Sequence, residues 1–281
     1  MTIPKVIHCV WLSGEEKPQL VKDCLATWKN IMPDYEIREW GMDDIKDIDS
    51  SFLRKTIAAR KWAYATDFLR VYILYKYGGI YMDLDVLVYK RFDEFLEHGA
   101  FSSVEFNPTY FYKTMNKKNV VGMGIEAAVL GAVPAHPWIG EILDFYTDRE
   151  FINDHDYCMS IIMPKVITKI SEKYGFVYAP LFQVLDNDVY LYPPDVFSSI
   201  SLRPVRDAVG DLKNLGKYNK VQYACHLCAN SWWDFSRKTL KERITFNFKK
   251  MVLNILGKER TNSLKKRFQR KGWQFNQSKL K

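Results

Sequence analysis

Hydrophobic positions follow two different periods along the chain. Short apolar or alternating segments predict β-strands, and longer segments with apolar residues three or four apart predict helices. The predicted strands are Lys5–Val10, Glu36–Trp40, Ile80–Tyr89, Ala100–Glu105, Ala127–Ala132, Val189–Tyr192 and Tyr223–His226. The predicted helices are Gln19–Ile31, Ser51–Tyr77, Pro137–Tyr146 and Cys158–Lys173. Because strands and helices alternate, we predict an α/β fold with a layered sheet.

The pattern changes after Trp233, where apolar residues recur at the spacing of one long amphipathic helix. We therefore predict two parts, a globular domain over residues 1–236 and a C-terminal extension over residues 237–281. With 281 residues and 47% hydrophobic side chains, the chain can bury one substantial core.

The segment Tyr77–Val86 ends an apolar run in two carboxylates, Asp83 and Asp85, separated by one residue. Gly78 and Gly79 end the preceding helical pattern and let the chain enter a strand. Side chains alternate along a strand, so the two carboxylates should point to the same side and reach one ion. Such ligands suit Mg²⁺ or Mn²⁺, whose shells are completed by substrate phosphates. A bare pair of this kind is also typical of a polar strand end.

Asp67 and Arg70 lie three residues apart on one face of the helical segment that runs into this motif. Taken alone, that spacing is equally typical of a surface ion pair, which contributes a few tenths of a kcal/mol. Its position directly before the two carboxylates favours a functional interpretation.

Together, the segments Ala65–Arg70 and Tyr77–Asp85 resemble the sugar-binding region containing the DXD motif of glycosyltransferase family 32. Large clostridial glucosylating toxins have a similar core. Two further segments match in the family's order: Ile3–Trp11 near the start, and His226 with Ser231–Trp233 near the end. The resemblance implies that the N-terminal part is a GT-A type, Rossmann-like nucleotide-sugar-binding domain.

The resemblance also implies roles for matched positions on the donor. Val10 and Trp11 would border the uracil of a UDP-sugar, with Trp11 stacked on the base. Asp67 would contact the sugar hydroxyls, and Arg70 would lie beside the sugar or the diphosphate. The prediction of a UDP-sugar rather than a GDP-sugar as donor rests on the resemblance alone.

The remaining matched positions are implied to serve the metal and the diphosphate. Asp83 would reach the ribose or a metal-bound water, Asp85 would ligate Mn²⁺ or Mg²⁺, and His226 would be a third protein ligand or a phosphate contact. Ser231 and Trp233 would come from a loop that closes over the diphosphate. Asp67, Arg70, Asp83 and Asp85 are the predicted catalytic residues.

The chemistry implied is transfer of a hexose with retention of anomeric configuration, to a saccharide acceptor. A metal ion would neutralise the diphosphate as the anomeric bond breaks. The sequence shows no obvious nucleophile opposite Asp83 and Asp85, so we expect a front-face mechanism without a covalent sugar adduct. The resemblance also implies a role in the synthesis of a bacterial surface polysaccharide, such as capsule, O-antigen or exopolysaccharide.

Positive charge is concentrated in the C-terminal extension. Residues 238–281 contain fourteen Lys and Arg against two Glu, a net charge of +12, while the whole chain has +8. Basic residues interleaved with aromatic ones suit an anionic membrane surface, which would make a lipid-linked acceptor accessible. A solvated, partly disordered tail is the alternative. No recognition motif for nucleic acid accompanies the charge.

The cysteines and the first residues of the chain predict a cytoplasmic protein, and any membrane contact is expected to be peripheral, on the cytoplasmic face of the inner membrane. With no signal peptide at Met1–Leu12 and five cysteines, we expect reduced thiols. Cys225 and Cys228 form a single C-x-x-C, which is a weak zinc or redox signal, and burial of the thiols is the preferred interpretation. No apolar run is long enough to span a bilayer.

Two other classes compete with the glycosyltransferase. A haloacid-dehalogenase-type phosphatase also uses a D-x-D pair, but it requires Thr two residues after the second Asp, where this chain has Leu87. A non-catalytic carbohydrate- or membrane-binding protein is the stronger rival. It would require neither a divalent ion nor turnover of a nucleotide sugar.

Overall fold

The strands form one large mixed sheet and one small sheet. The structure, a computed structural model, describes residues 1–107, 110–111, 114, 122–197 and 223–227. Its strands are β1 (Val6–Val10), β2 (Glu36–Trp40), β3 (Gly79–Met82), β4 (Val86–Val88), β5 (Ala100–Phe106), β6 (Met123–Ile125), β7 (Val129–Ala132), β8 (Gln183–Leu185), β9 (Val189–Tyr192) and β10 (Ala224–His226). The large sheet has the order β2-β1-β3-β7-β5-β9-β8, with β6 paired to β5, and the small sheet pairs β10 with β4.

The helices lie between these strands along the chain. They are α1 (Gln19–Ile31), α2 (Met42–Ile45), α3 (Ser51–Ala58), α4 (Trp62–Tyr77), α5 (Pro137–Thr147), α6 (His155–Ser160), α7 (Met163–Ser171) and α8 (Pro194–Phe197). The predicted α/β class is thereby confirmed. No helix in the described ranges has the length and apolarity that crossing a bilayer requires.

The central strands create a place for a ligand at one edge of the large sheet. β1 pairs in parallel with β2 on one side and with β3 on the other. The chain therefore leaves β1 in one direction and later returns on its opposite side, which is a topological switch point. In open α/β sheets, ligands bind in the crevice outside the carboxyl ends of the strands at such a point.

Apolar side chains bury both faces of the sheet. Tyr81 of β3 belongs to the cluster that includes α3, α4, α5 and α7, whereas Ile80 and Met82 belong to the cluster that includes Trp28 of α1. This alternation is what a strand buried on both faces requires. It also sets Tyr81 on the same side of the sheet as α4.

Two predicted helices are each divided in the structure. Ser51–Tyr77 consists of α3 and α4, separated at Arg60, whose φ of 52° lies in the left-handed region. Cys158–Lys173 is replaced by α6 and α7. Pro164 lies in the first turn of α7, where its missing N–H leaves no hydrogen bond unmade, but a continuous helix would need that donor.

The junction between α4 and β3 depends on glycine. Gly78 and Gly79 have φ values of 65° and 98°. A Cβ on Gly79 would lie 2.7 Å from the carbonyl oxygen of Val6, so the close packing of β3 on β1 excludes any side chain there. The predicted helix-to-strand transition is confirmed at these two residues.

Neutral His8 stabilises the same junction. Its Nδ1 accepts from the indole N–H of Trp40 over 3.1 Å, and its Nε2 donates to the carbonyl of Gly78 over 3.0 Å. Burial lowers the pKa of His8 to about 4. Since an unfolded histidine titrates near pH 6.5, this contribution is present above that pH and is lost as the pH falls toward 4.

We expect stability to depend on pH through His8. Between pH 7 and pH 4.5, wild-type protein should lose about 2 kcal/mol more unfolding free energy than a His8→Gln variant, measured by urea denaturation at both pH values. His155→Gln, at an exposed position, is the matched control and should keep the wild-type dependence. Equal pH dependence of the wild type and His8→Gln would contradict the assignment.

The chain divides into two units, and the predicted domain boundary at residue 236 stays a prediction. The contacts of the chain separate a unit of Met1–Trp232 from a second unit of Trp233–Lys281. The predicted extension at 237–281 lies outside the described residues, as does Cys228. Cys9, Cys24, Cys158 and Cys225 are buried, as expected for packed thiols.

Candidate active site

Asp83 and Asp85 lie in a turn, not on one strand. β3 ends at Met82, and the chain passes through Asp83–Asp85 into β4, which belongs to the small sheet. The N–H of Val86 donates to the carbonyl of Asp83 over 3.1 Å and so closes the turn. The predicted strand Ile80–Tyr89 was therefore wrong, because the chain changes sheets at the two carboxylates.

Strand β10 brings His226 to this turn. β10 pairs antiparallel with β4, with His226 opposite Val86, and the N–H of Leu227 donates to the carbonyl of Asp85 over 2.9 Å. One ligand atom from each of Asp83, Asp85 and His226 lies within 4.8 Å of the others. Their side chains are 25%, 16% and 17% exposed, so an ion or a phosphate can reach all three from solvent.

A buried arginine lies behind the carboxylates. Arg70 of α4 contacts Asp67 over 2.9 Å and Asp83 over 3.5 Å, and its guanidinium lies 4.7 Å from the centre of the Tyr81 ring. Tyr81 donates its hydroxyl to Asp83 over 2.7 Å. The surface interpretation of the Asp67–Arg70 pair is excluded, because the two side chains are only 11% and 7% exposed.

Asp67 ties α4 to the start of α7. Its Oδ2 accepts from the backbone N–H of Met163 over 3.1 Å. Burial raises the pKa of Asp67 to about 6, against the opposing effect of Arg70. The carboxyl is therefore mostly ionised at neutral pH, and it can accept hydrogen bonds from hydroxyl groups.

The segment Glu126–Ala128, which precedes β7, connects all these residues, although no sequence motif marks it as part of the site. Arg70 donates to the carbonyl of Ala127 over 2.6 Å, and the N–H of Asp83 donates to the carbonyl of Ala128 over 2.9 Å. Nδ1 of His226 lies 3.2 Å from Oε1 of Glu126. A single short segment thus fixes the helix, the turn and β10 relative to one another.

Glu105 of β5 adds a second, partly buried carboxyl group near Glu126. Burial and the neighbouring charge of Glu126 raise the pKa of Glu105 to about 8. Its surroundings therefore favour the neutral form of the Glu105 carboxyl.

Val10 and Trp11, the two residues expected to border the uracil, lie at the same edge of the sheet as the two carboxylates. The register of β1 with β3 pairs His8 with Tyr81. Val10 at the end of β1 and Asp83 just after β3 therefore lie at the carboxyl edge of these parallel strands. Val10 is buried in the core, and Trp11 is partly exposed with its indole N–H donated to the carbonyl of Glu15 over 2.8 Å. Ser231 and Trp233, expected over the diphosphate, lie outside the described residues.

The ligand atoms fit a divalent cation. If the Nδ1 proton of His226 is donated to Glu126, Nε2 presents a lone pair toward Oδ1 of Asp85, 3.5 Å away. A divalent cation between these two atoms would convert the repulsion between the lone pair and the carboxylate into coordination of both groups. Two carboxylates and an imidazole in this arrangement can supply that cation's protein ligands.

Comparison with known proteins agrees with the motif. Residues 18–102 match the family model described as "Glycosyltransferase sugar-binding region containing DXD motif". The matched region includes Asp67, Arg70, Asp83 and Asp85. The resemblance to the DXD-motif glycosyltransferases is therefore confirmed for this part of the chain.

Curated relatives carry related names. Inositol phosphoceramide mannosyltransferase 3 of Schizosaccharomyces pombe is 28% identical over 50% of this chain and 36% of its own length. Inositol phosphoceramide mannosyltransferase 2 of the same yeast is 30% identical over 50% of this chain and 37% of its own. A glycosyltransferase structure, PaToxG, has a TM-score of 0.44 at 18% identity, covering 61% of this chain and 70% of that one. The chain thus spans little more than a third of the length of these two yeast relatives.

Proposed function

We propose that this protein is a divalent-metal-dependent glycosyltransferase that moves a hexose from a nucleotide sugar to a saccharide acceptor carried on a lipid. The observation that carries the proposal is the convergence of Asp83, Asp85 and His226 in front of the buried Asp67–Arg70 pair. This convergence lies at the switch point of the sheet, where nucleotide ligands are expected.

Each side chain has a place in the proposed reaction. Arg70 holds Asp67 and Asp83 in fixed positions, so the carboxylate of Asp67 can orient the sugar hydroxyls before the reaction. Asp83 shares its charge with Arg70 and Tyr81, so Asp85 and His226 are the stronger metal ligands. The ion, when bound, offsets the negative charge that develops on the leaving diphosphate.

The mixed oxygen and nitrogen ligands favour Mn²⁺ over Mg²⁺ in this proposal. Mg²⁺ prefers oxygen ligands alone, whereas transition ions also accept imidazole. Trp11, at the same sheet edge, is the proposed platform for a uracil base.

Two acceptor classes compete within the proposal. The first is a lipid-linked saccharide of a bacterial surface polysaccharide, reached through the basic residues 238–281. The second is supported by the names of the yeast relatives, inositol phosphoceramide mannosyltransferases 2 and 3, and is mannosyl transfer onto an inositol-phosphate lipid headgroup. Both present hydroxyl groups at a membrane surface, and either hydroxyl could attack the anomeric carbon of the same sugar donor as the diphosphate leaves.

Donor turnover is the test of the proposed activity. Protein with Mn²⁺ is incubated with a panel of UDP- and GDP-hexoses, and release of nucleoside diphosphate is measured with and without EDTA. We expect one donor to be hydrolysed in a metal-dependent way, and faster with vesicles that carry its acceptor class. Intact-protein mass spectrometry should show no sugar adduct, as a front-face mechanism requires.

Absence of turnover has a defined follow-up. Calorimetry with each donor and Mn²⁺ separates an enzyme that needs its acceptor from a protein that binds no donor. If no nucleotide sugar binds, the non-catalytic carbohydrate- or membrane-binding alternative replaces the proposal.

A further inference from the structure

Glu126 is a buried carboxylate that lies outside the DXD motif. Its side chain is only 3% exposed, and it lies between β6 and β7, behind the cluster of possible metal ligands. A buried acidic side chain costs several kcal/mol unless it is hydrogen-bonded, so its contacts should explain its presence.

Backbone groups hold the carboxylate in one orientation. The N–H groups of Ala127 and Ala128 donate to Oε1 of Glu126 over 3.1 Å and 3.0 Å. The N–H of Glu126 itself donates to the carbonyl of Ser103 on β5, over 2.8 Å. The carboxylate is therefore held by the backbone that follows it, and the backbone of Glu126 is bonded to β5.

The same carboxylate oxygen lies 3.2 Å from Nδ1 of His226, a residue 100 positions away in sequence. An ionised carboxylate only accepts hydrogen bonds, so this contact favours a proton on Nδ1. We infer that Glu126 is a positioning residue, which fixes His226 in the Nδ1–H tautomer and turns Nε2 toward Asp83 and Asp85.

A carboxylate behind a metal-binding imidazole has two effects. It fixes the ring orientation, and its negative charge makes Nε2 a better electron-pair donor. Loss of such a partner typically weakens metal binding by about 10-fold to 100-fold. Glu126 would therefore tune metal affinity without touching the metal or the substrate.

The test measures Mn²⁺ alone. It rests on the proposed function, because it assumes that the cluster binds a divalent ion. Mn²⁺ affinity is measured by electron paramagnetic resonance for the wild type, Glu126→Gln and Glu126→Ala. Glutamine keeps an oxygen for the same three N–H donors but removes the charge, so it separates charge from geometry.

Glu105→Gln is the matched control. Glu105 is a partly buried glutamate in the same region, and its raised pKa favours the neutral form, which glutamine resembles in charge and volume. We expect about 10-fold weaker Mn²⁺ binding for Glu126→Gln, about 100-fold weaker for Glu126→Ala, and wild-type affinity for Glu105→Gln. Thermal unfolding should show that Glu126→Gln remains folded.

A second readout concerns the tautomer itself. In metal-free, ¹⁵N-histidine-labelled protein at pH 8, the long-range proton–nitrogen spectrum should show His226 protonated at Nδ1, with His226→Gln used for assignment. In Glu126→Ala this preference should be lost. A purely structural role for Glu126 would not determine which nitrogen carries the proton.

The possible outcomes distinguish the proposed metal-dependent function from the positioning role of Glu126. If the wild type binds no Mn²⁺, the proposed metal-dependent function fails, and the inference fails with it. If the wild type binds Mn²⁺ and both Glu126 variants bind it equally well, only the inference is overturned. A wild-type His226 protonated at Nε2 would overturn the inference as well.

Discussion

Replacing Asp85 with asparagine is expected to reduce donor turnover by about 10³-fold. Asp85 faces Nε2 of His226 across 3.5 Å, and in the proposed reaction these two groups hold the metal ion. Charge stabilisation by a metal ion is worth several kcal/mol, and about 4 kcal/mol corresponds to a factor of 10³ in rate. The measurement is the steady-state release of nucleoside diphosphate from the best donor at saturating Mn²⁺.

The Asp85→Asn variant should remain folded. The backbone carbonyl of Asp85, which accepts from Leu227, is unaffected by the substitution. Asp49→Asn, at a carboxylate that is 96% exposed, is the control and should keep wild-type turnover. Turnover within threefold of wild type in Asp85→Asn would contradict the assignment of Asp85 to the metal.

Replacing Arg70 with leucine is expected to lower the unfolding free energy by about 3–5 kcal/mol and to abolish turnover. Arg70 is buried and contacts two carboxylates, so its loss leaves Asp67 as an uncompensated buried charge. The hydrogen bond to the carbonyl of Ala127 is lost as well. Urea denaturation at pH 7 measures the stability change.

A double variant separates charge burial from packing. Asp67→Leu together with Arg70→Leu removes both members of the pair, so much of the lost stability should return, while turnover stays absent. Arg54→Leu, which breaks an exposed ion pair with Asp49, is the control and should cost less than about 1 kcal/mol. Similar losses for Arg54→Leu and Arg70→Leu would refute the structural role given to Arg70.

Sequence patterns predicted those parts of the fold and the site that depend on residues close together in the chain. The spacing of Asp67 and Arg70 on one helix, and of Asp83 and Asp85 on one turn, is visible in the chain itself. Helix α1 and strand β2 have the predicted bounds, because each is a continuous periodic segment. The resemblance added His226, which no local pattern would have joined to the carboxylates.

What the patterns missed depends on contacts between distant segments. The turn at Asp83–Asp85 has the same hydrophobic pattern as a continuous strand. The strands on its two sides are both buried, although they belong to different sheets. Glu126 carried no signal, since a single acidic residue before an apolar strand has no periodic or motif context. Its partner His226 is 100 residues away and meets it only through the pairing of β10 with β4.

The most direct test of the central claim is anomalous diffraction at the manganese edge from crystals grown with Mn²⁺ and a nucleoside diphosphate. The account predicts one peak within coordinating distance of Asp85 and His226, adjacent to the diphosphate and in front of Arg70. A nucleotide bound at the sheet edge with no manganese peak between these residues would contradict the account, and so would a peak elsewhere on the protein.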